Sequence, residues 1–244
     1  MSPLRQRWKN YHEVVLSVLV PAFDEGPTVE AMADRLLEVP LKLEIIVVND
    51  GSRDDTGARL DALQKSGKIH RVIHHPTNRG KGAAIRTAIA AATGDVMVVQ
   101  DADLEYDPTE LPGLLAPILD GRADAVFGSR FLGGPHRVLY FWHSIGNRML
   151  TLLSNMLTDL NLTDMETCYK MVRSDLLRSL TLTSERFGFE PELVARLAQA
   201  GARIYEMQIS YAGRTYAEGK KIGWKDGVAA LWHIVRFNLL RPRS

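Results

Sequence analysis

Apolar residues in the first half of the chain fall into short runs, separated by stretches with helical spacing. Val14 to Val20 reads as a strand, Pro27 to Glu38 as a helix with Pro27 suited to its first turn, and Leu43 to Val48 as a second strand. Asn49-Asp50-Gly51-Ser52 then makes a sharp turn. Asp54 to Lys65 predicts a helix ending near Gly67, and Ile69 to His74 a third strand. Gly82 to Ala92 predicts a helix of small residues stopped by Gly94, and Asp95 to Gln100 a fourth strand. This βαβαβαβ order predicts an α/β fold, with a mostly parallel sheet flanked by helices and ligands at the carboxyl ends of its strands. Asp50 and Asp101 fall at such ends.

The alternation continues with a helix beginning near Pro108 and a strand at Ala123 to Phe127, leading into Gly128-Ser129-Arg130. After Gly133-Gly134-Pro135 the character changes. His136 to Thr158 predicts a helix with a polar stripe, Ser144, Asn147, Arg148, Thr151, Asn155 and Thr158, opposite Ile145, Met149, Leu152, Leu153 and Met156. Its start, Leu139-Tyr140-Phe141-Trp142, is strongly apolar. A helix from Glu190 to Ala200, a strand from Arg203 to Ser210, a polar loop from Tyr211 to Lys221 and a last helix from Trp224 to about Leu240 complete the pattern. That last helix carries Trp224, Val228, Leu231, Val235 and Leu239 in one stripe, with Arg236, Arg241 and Arg243 nearby, a pattern that suits either a core face or a helix lying in a lipid interface. No repeat or low-complexity linker marks a boundary, so residues 1–244 are expected to form one domain, with halves at 14–130 and 131–244.

Composition narrows the function classes. At 244 residues and 45% hydrophobic content the chain can bury a sizeable core. Its 30 basic and 29 acidic side chains nearly cancel, giving no reason to expect a nucleic-acid partner. Cys168 is the single cysteine and the seven histidines lack paired spacing for zinc, which fits a cytoplasmic setting. Met1 to Asn10 is polar and basic, unlike a signal peptide, and no apolar run is long enough to span a bilayer. Membrane contact is therefore expected to be peripheral, or to run through a membrane-protein partner.

Asp101-Ala102-Asp103 follows the apolar run Val96-Met97-Val98-Val99, so two carboxylates leave the end of a buried strand and can hold Mg²⁺ or Mn²⁺ against a diphosphate. Val20-Pro21-Ala22-Phe23-Asp24-Glu25 ends the first strand in a turn that can lie against a base, and Asp50 can accept a hydrogen bond from a base or ribose. Asn78-Arg79-Gly80-Lys81-Gly82 adds glycines that permit close approach and a lysine for phosphate, without the spacing of a P-loop. Each turn by itself also reads as an ordinary solvated strand-to-helix connection.

Together, in this order and spacing, the four motifs resemble family 2 glycosyltransferases with a GT-A (Rossmann-like) fold. Gly128-Ser129-Arg130-Phe131 and Gly219-Lys220-Lys221 look most like the dolichyl-phosphate mannosyltransferase and polyprenyl-phosphate glycosyltransferase branch. The resemblance covers about Val15 to Leu240 and implies a nucleotide-sugar half followed by an acceptor half. It implies donor contacts from Pro21, Ala22, Phe23, Glu25, Asp50, Lys81, Asp101, Ala102 and Asp103. Asp103 would bind the metal directly, aided by Asp101 and by Glu105, which stands where the branch usually has Gln. Arg130, Arg137, Ser144, Arg148, Arg214, Lys220 and Lys221 would bind the acceptor phosphate. Asp103, Arg130 and Glu190 are the expected catalytic residues.

The implied reaction inverts the anomeric centre as a hexose moves from GDP-mannose or UDP-glucose to a polyprenyl phosphate. One departure is Tyr140, where lipid-phosphate relatives tend to carry an arginine. The alternative acceptor is a sugar hydroxyl, which would need Glu190 or Asp164 as base. A non-catalytic nucleotide-sugar-binding module is a third reading. A sugar-nucleotide pyrophosphorylase does not fit, because Pro21 to Glu25 is unlike its glycine-rich opening loop.

Overall fold

The computed structural model describes residues 13–133, 135–138, 140–215 and 224–240. Its elements are β1 (Val15–Ala22), α1 (Val29–Leu37), β2 (Lys42–Asn49), α2 (Thr56–Lys65), β3 (Arg71–His74), α3 (Lys81–Ala91) and β4 (Val96–Val99). A short 3₁₀ turn (Pro108–Glu110) leads into α4 (Leu111–Leu119), then β5 (Ala125–Ser129), α5 (Phe141–Thr158), β6 (Lys170–Arg173) and α6 (Ser174–Ser179). Last come α7 (Phe189–Gln199), β7 (Ile204–Gln208) and α8 (Trp224–Val235), which runs on as a wider turn over Arg236–Leu240.

Seven strands form one sheet in the order β3-β2-β1-β4-β6-β5-β7. Pairing is parallel except around β6, which runs antiparallel to both β4 and β5. The chain leaves β1 toward β2 and β3 on one side and returns to β4 on the other, which opens the crevice where such sheets bind ligands. In register, Ala22 pairs with Asn49, Asn49 with His74, and Leu19 with Val99, so the turns after β1, β2, β3 and β4 share one edge. The run Val96-Met97-Val98-Val99 is buried on both faces, as a central strand covered by helices must be.

Most expected elements form within two residues of their predicted ends, and the structure differs in three places. β6 and α6 lie where the sequence pattern predicts nothing, because Lys170 opens β6 and Arg173 closes it around only Met171 and Val172, although Lys170 is itself only 1% exposed. The helix expected from His136 starts at Phe141. The preceding segment instead bridges to Tyr211, with Arg137 N–H donating to the Tyr211 carbonyl at 2.9 Å.

The third difference concerns α5, whose polar stripe faces inward. Thr151 and Ser154 are buried, while Met149, Leu152 and Met156 project outward, Met156 being 72% exposed. The stripe is held by the loop before β6: Thr151 Oγ1 accepts from Met165 N–H at 3.1 Å, and Asn155 exchanges two bonds with the Leu162 backbone. α5 packs against α8, which buries Ala230, Ile234 and Phe237 and turns Val228, Leu231, Trp232, Leu239 and Leu240 outward. Of the stripe expected on this helix, Val228, Leu231 and Leu239 are exposed and Val235 is half-buried. The Trp224 side chain, Arg241 and Arg243 lie outside what the structure describes.

Candidate active site

The four motifs meet at the carboxyl edge of β1, β2, β3 and β4. Asp50, just past β2, is buried and accepts from Arg79 N–H at 3.0 Å, Gly80 N–H at 2.7 Å and His75 Nδ1 at 2.6 Å. His75 Nε2 continues to Thr87 Oγ1 at 2.9 Å. Both Asp50 oxygens therefore shape the 78–81 loop. Gly80 sits at φ +95, and a Cβ there would lie 2.4 Å from the Glu185 carbonyl oxygen, so this tight loop requires glycine. Pro21 and Ala22 close β1, Phe23 follows at the same edge, and Ala102 is buried beneath the acidic turn.

Lys81 opens α3 and its ammonium lies 2.9 Å from Asp101 and 2.9 Å from Glu190. Burial opposes its charge, but the two carboxylates outweigh burial and hold Lys81 well above the usual lysine range. Asp103 is the other arm of the turn. Burial, reinforced by the charges of Asp101 and Glu105, pushes it up to about 7, against the pull of Arg214.

Arg214 brings together three carboxylates distant in sequence. Its guanidinium lies 3.0 Å from Asp103, 3.2 Å from Glu25 and 3.5 Å from Glu105. Glu105 also accepts from the Arg214 N–H at 2.7 Å and the Tyr211 hydroxyl at 2.7 Å. Glu105 is thus tied to the 211–214 segment, while Glu25 also accepts from Thr28 Oγ1 at 2.9 Å.

These residues fit a hard divalent cation by the chemistry of the donor set: oxygen ligands only, and more negative charge than a buried turn tolerates alone. Lys81 and Arg214 are the cations that face it. Among the described residues no three acidic, histidine or cysteine side chains form a preformed cage.

Arg130, after β5, meets Asp164 through two bonds of 2.6 and 2.8 Å and reaches Asn147 on α5 at 3.3 Å. Its guanidinium lies 5.1 Å from the Tyr211 ring centre and 5.8 Å from that of Phe131. Asp164 is fully buried; burial would raise it, yet Arg130 outweighs burial and holds it below the usual aspartate value. Thr163 and Asp164 N–H groups are in turn anchored on Glu206 at 2.8 to 3.1 Å.

The acceptor-side predictions are less converged. Arg137 donates to the Gly213 carbonyl at 3.3 Å and, with Arg35, His136 and Tyr211, lines an open cleft of about 340 Å³ beside Glu105. Arg148 lies 5.9 Å from the Phe131 ring centre, on the Arg130 side, and Ser144 sits one turn earlier on α5. Lys220 and Lys221 lie outside the described residues. Sequence reasoning missed His75, Tyr211, Glu166 and Lys170; only His75, one residue beyond β3, had a positional signal.

Three comparisons bear on this geometry. The family model described as "Glycosyl transferase family 2" matches residues 17–181. The undecaprenyl-phosphate mannosyltransferase of Micrococcus luteus is 29% identical over 231 residues, covering 91% of this chain and 93% of its own. The dodecaprenyl-phosphate galacturonate synthase of Rhizobium johnstonii is 27% identical, covering 90% of this chain and 65% of its own. The polyprenol monophosphomannose synthase of Mycolicibacterium smegmatis is 28% identical, covering 84% and 80%. Among solved structures, glucosyl-3-phosphoglycerate synthase from Mycobacterium tuberculosis, in complex with Mn²⁺, UDP and glucosyl-3-phosphoglycerate, superposes with a TM-score of 0.72. Its identity is 22%, over 92% of this chain and 80% of that one.

Proposed function

The chain belongs to glycosyl transferase family 2 and has the GT-A fold, and from that premise we propose that it transfers a hexose from a nucleotide sugar to a polyprenyl phosphate. One observation carries the choice of acceptor: both carboxylates able to serve as a base are already engaged. Asp164 is locked to Arg130, and Glu190 is paired with Lys81, its other oxygen sealed from solvent. Freeing either would leave a buried unpaired charge, at a cost of about 3–5 kcal/mol. A hydroxyl acceptor needs such a base, whereas a lipid phosphate arrives already anionic. The three relatives act, by their names, on polyprenyl phosphates, which supports the same choice.

The nucleoside lies against the turns after β1 and β2, with Asp50 setting the shape of the 78–81 loop. The diphosphate lies over Asp101 and Asp103, where Lys81 and Arg214 supply positive charge. Mg²⁺ or Mn²⁺ held by Asp103, with Asp101 and Glu105 close by, would act as a Lewis acid on the leaving diphosphate. Arg130, oriented by Asp164, presents its free edge to the acceptor phosphate, with Ser144, Arg137 and Arg148 further along the same path. Tyr140 replaces one expected arginine, and Arg137 takes its place in this reading. Attack opposite the leaving group inverts the anomeric centre, and the preorganised cations stabilise charge on both sides.

No helix among the described residues is long and apolar enough to cross a membrane. The outward faces of α5 and α8 each carry exposed apolar side chains, Trp142 at 78% and Leu239 at 63%, that suit peripheral contact with the bilayer holding the acceptor. The test is product identification: the protein is incubated with GDP-mannose or UDP-glucose, Mn²⁺ or Mg²⁺, and a short polyprenyl phosphate. A glycolipid phosphodiester is the expected product. Nucleoside diphosphate released with no glycolipid would remove the acceptor assignment.

A further inference from the structure

The loop between α5 and β6 is buried without being regular. From Thr163 to Tyr169 it forms neither helix nor strand, yet Asp164, Met165, Thr167, Cys168 and Tyr169 are at most 3% exposed. Buried backbone polar groups must be paired, and here side chains from the surrounding elements pair them. Thr151 Oγ1 on α5 accepts the Met165 N–H at 3.1 Å, and the Tyr106 hydroxyl accepts that of Cys168 at 3.1 Å. The Lys170 ammonium donates to the carbonyls of Met165, at 2.8 Å, and Thr167. Glu206, from β7, holds the piece that carries Asp164. Its carboxylate accepts the Thr163 N–H at 2.8 and 2.9 Å and the Asp164 N–H at 3.1 Å.

The same carboxylate stands beside the strand that runs out into Arg130, because β7 pairs with β5 so that Glu206 faces Phe127 and Gln208 faces Ser129. Thr163 Oγ1 and Ser129 Oγ, 2.6 Å apart, close the loop onto that strand, and Ser129 Oγ also accepts the Phe131 N–H at 3.1 Å. Arg130 then depends on where Asp164 stands. Its backbone N–H donates to Asp164 at 3.2 Å, and its Nε and Nη2 donate at 2.6 and 2.8 Å, which turns the Nη1 edge of the guanidinium away from Asp164.

A carboxylate that accepts two backbone N–H groups holds them by charge-assisted bonds, the strong class of hydrogen bond. We propose that Glu206 is a positioning residue for the acceptor phosphate: through the Thr163 and Asp164 N–H groups it fixes where the Asp164 carboxylate stands, and so the direction in which Arg130 faces the acceptor. Without Glu206 the ion pair forms in a displaced position, and a misplacement of about 1 Å costs on the order of a hundredfold in rate. The effect on the acceptor rests on the polyprenyl-phosphate reading of the site; the link from Glu206 to the pair of Arg130 and Asp164 does not.

The test has two arms on the full chain, and the first needs no substrate. Melting temperatures are measured for wild type, E206A, R130M and the double variant, and again with E206Q in place of E206A. Alanine leaves both N–H groups without an acceptor, whereas glutamine keeps the one oxygen, Oε1, on which both converge. Once Glu206 is gone the ion pair is already weakened, so the drop in E206A/R130M is expected to fall short of the sum of the single drops, as for residues of one network. With E206Q the drops should come close to adding. Additive drops for E206A would overturn the link, as would the same shortfall for both replacements, because charge by itself would then explain it. If E206A does not fold, E206D, which keeps the charge but withdraws it by one methylene, takes its place in both arms.

In the second arm, glycolipid formation is followed with GDP-mannose or UDP-glucose and Mn²⁺ while a short polyprenyl phosphate is varied, beside calorimetry of UDP and GDP binding. E206A should raise KM for the acceptor about tenfold or more, roughly the worth of one charged hydrogen bond, and leave the nucleotide Kd where it was. E206Q should recover most of that loss. A folded E206A with an unchanged acceptor KM overturns the positioning role, and so does one whose acceptor KM and nucleotide Kd shift alike. No glycolipid from wild type overturns the acceptor reading and the positioning role together, while the link to the ion pair stands or falls on the melts.

Discussion

Replacing Arg130 by methionine separates the structural from the chemical work of this side chain. The guanidinium holds Asp164 through bonds of 2.6 and 2.8 Å, and Asp164 is 0% exposed, so the variant strands a carboxylate where water does not reach. Breaking a buried pair by removing one partner costs about 3–5 kcal/mol. For a chain of this size each kcal/mol moves the melting temperature by roughly 2–4 °C, so R130M is expected to melt about 6–20 °C below wild type. The double variant R130M/D164L removes both charges and should recover most of that loss, since matched apolar replacement of a buried pair is often neutral. Calorimetric or circular-dichroism melts of the four members of the cycle give the coupling directly.

Glycolipid formation should behave differently: it stays low in the double variant, because the cation facing the acceptor phosphate is gone although the fold is restored. The pH dependence has a sign of its own. Arg130 holds Asp164 below its ordinary value of 3.8, so the wild-type advantage over R130M is present above that value and is lost as pH falls through the lowered one. An R130M melt within about 2 °C of wild type would refute the argument, since an exposed ion pair contributes only about 0–1 kcal/mol.

Gly80→Ala places a side chain 2.4 Å from the Glu185 carbonyl at a left-handed φ of +95, so it should destabilise by about 1–3 kcal/mol. Nucleoside diphosphate affinity, read by calorimetry, should fall with it because the displaced loop carries its residue-80 N–H away from Asp50; unchanged affinity would detach the loop from donor binding. Lys81→Met leaves Asp101 and Glu190 facing each other without their common cation. Its nucleoside diphosphate affinity should drop by about tenfold or more, roughly the 1.5–3 kcal/mol of a charged hydrogen bond, whereas an unaffected Kd would contradict the assignment. Trp142→Asp with Trp232→Asp should abolish co-sedimentation with anionic lipid vesicles while leaving nucleotide binding intact; undiminished sedimentation would move the membrane contact elsewhere.

The first half of the fold was legible in the sequence because its information is local. Each of Asp50, Lys81 and Asp101 lies within two residues of a strand or helix end, and the strands are marked by short, mostly apolar runs. The second half was harder for physical reasons. Lys170 lies inside a strand and is buried with its charge satisfied by backbone carbonyls, so a polar letter conceals a core position. The two sides of α5 were readable as polar and apolar, but spacing cannot say which one meets the protein. That was decided by Asn147, Thr151 and Asn155 bonding the loop before β6. The pairing of Glu25, Asp103 and Glu105 through Arg214 spans up to 189 residues and has no sequence signature.

In the proposed reaction, the reversed strand β6 sets the spacing between donor and acceptor sides. Because it runs against β4 and β5, the chain enters it at the edge where its neighbours exit, delivering Asp164 and Glu166 to the ligand side on the way in. It also stands between the strand that ends at the acidic turn and the strand that ends at Arg130. Two strand spacings amount to about 10 Å, roughly the room for a sugar ring between its leaving group and its attacker. A deletion that let β5 pair directly with β4 would halve that gap, leaving two intact binding surfaces too close to hold both substrates at once. The strand works as a gauge block, and its backbone matters there more than any side chain it carries.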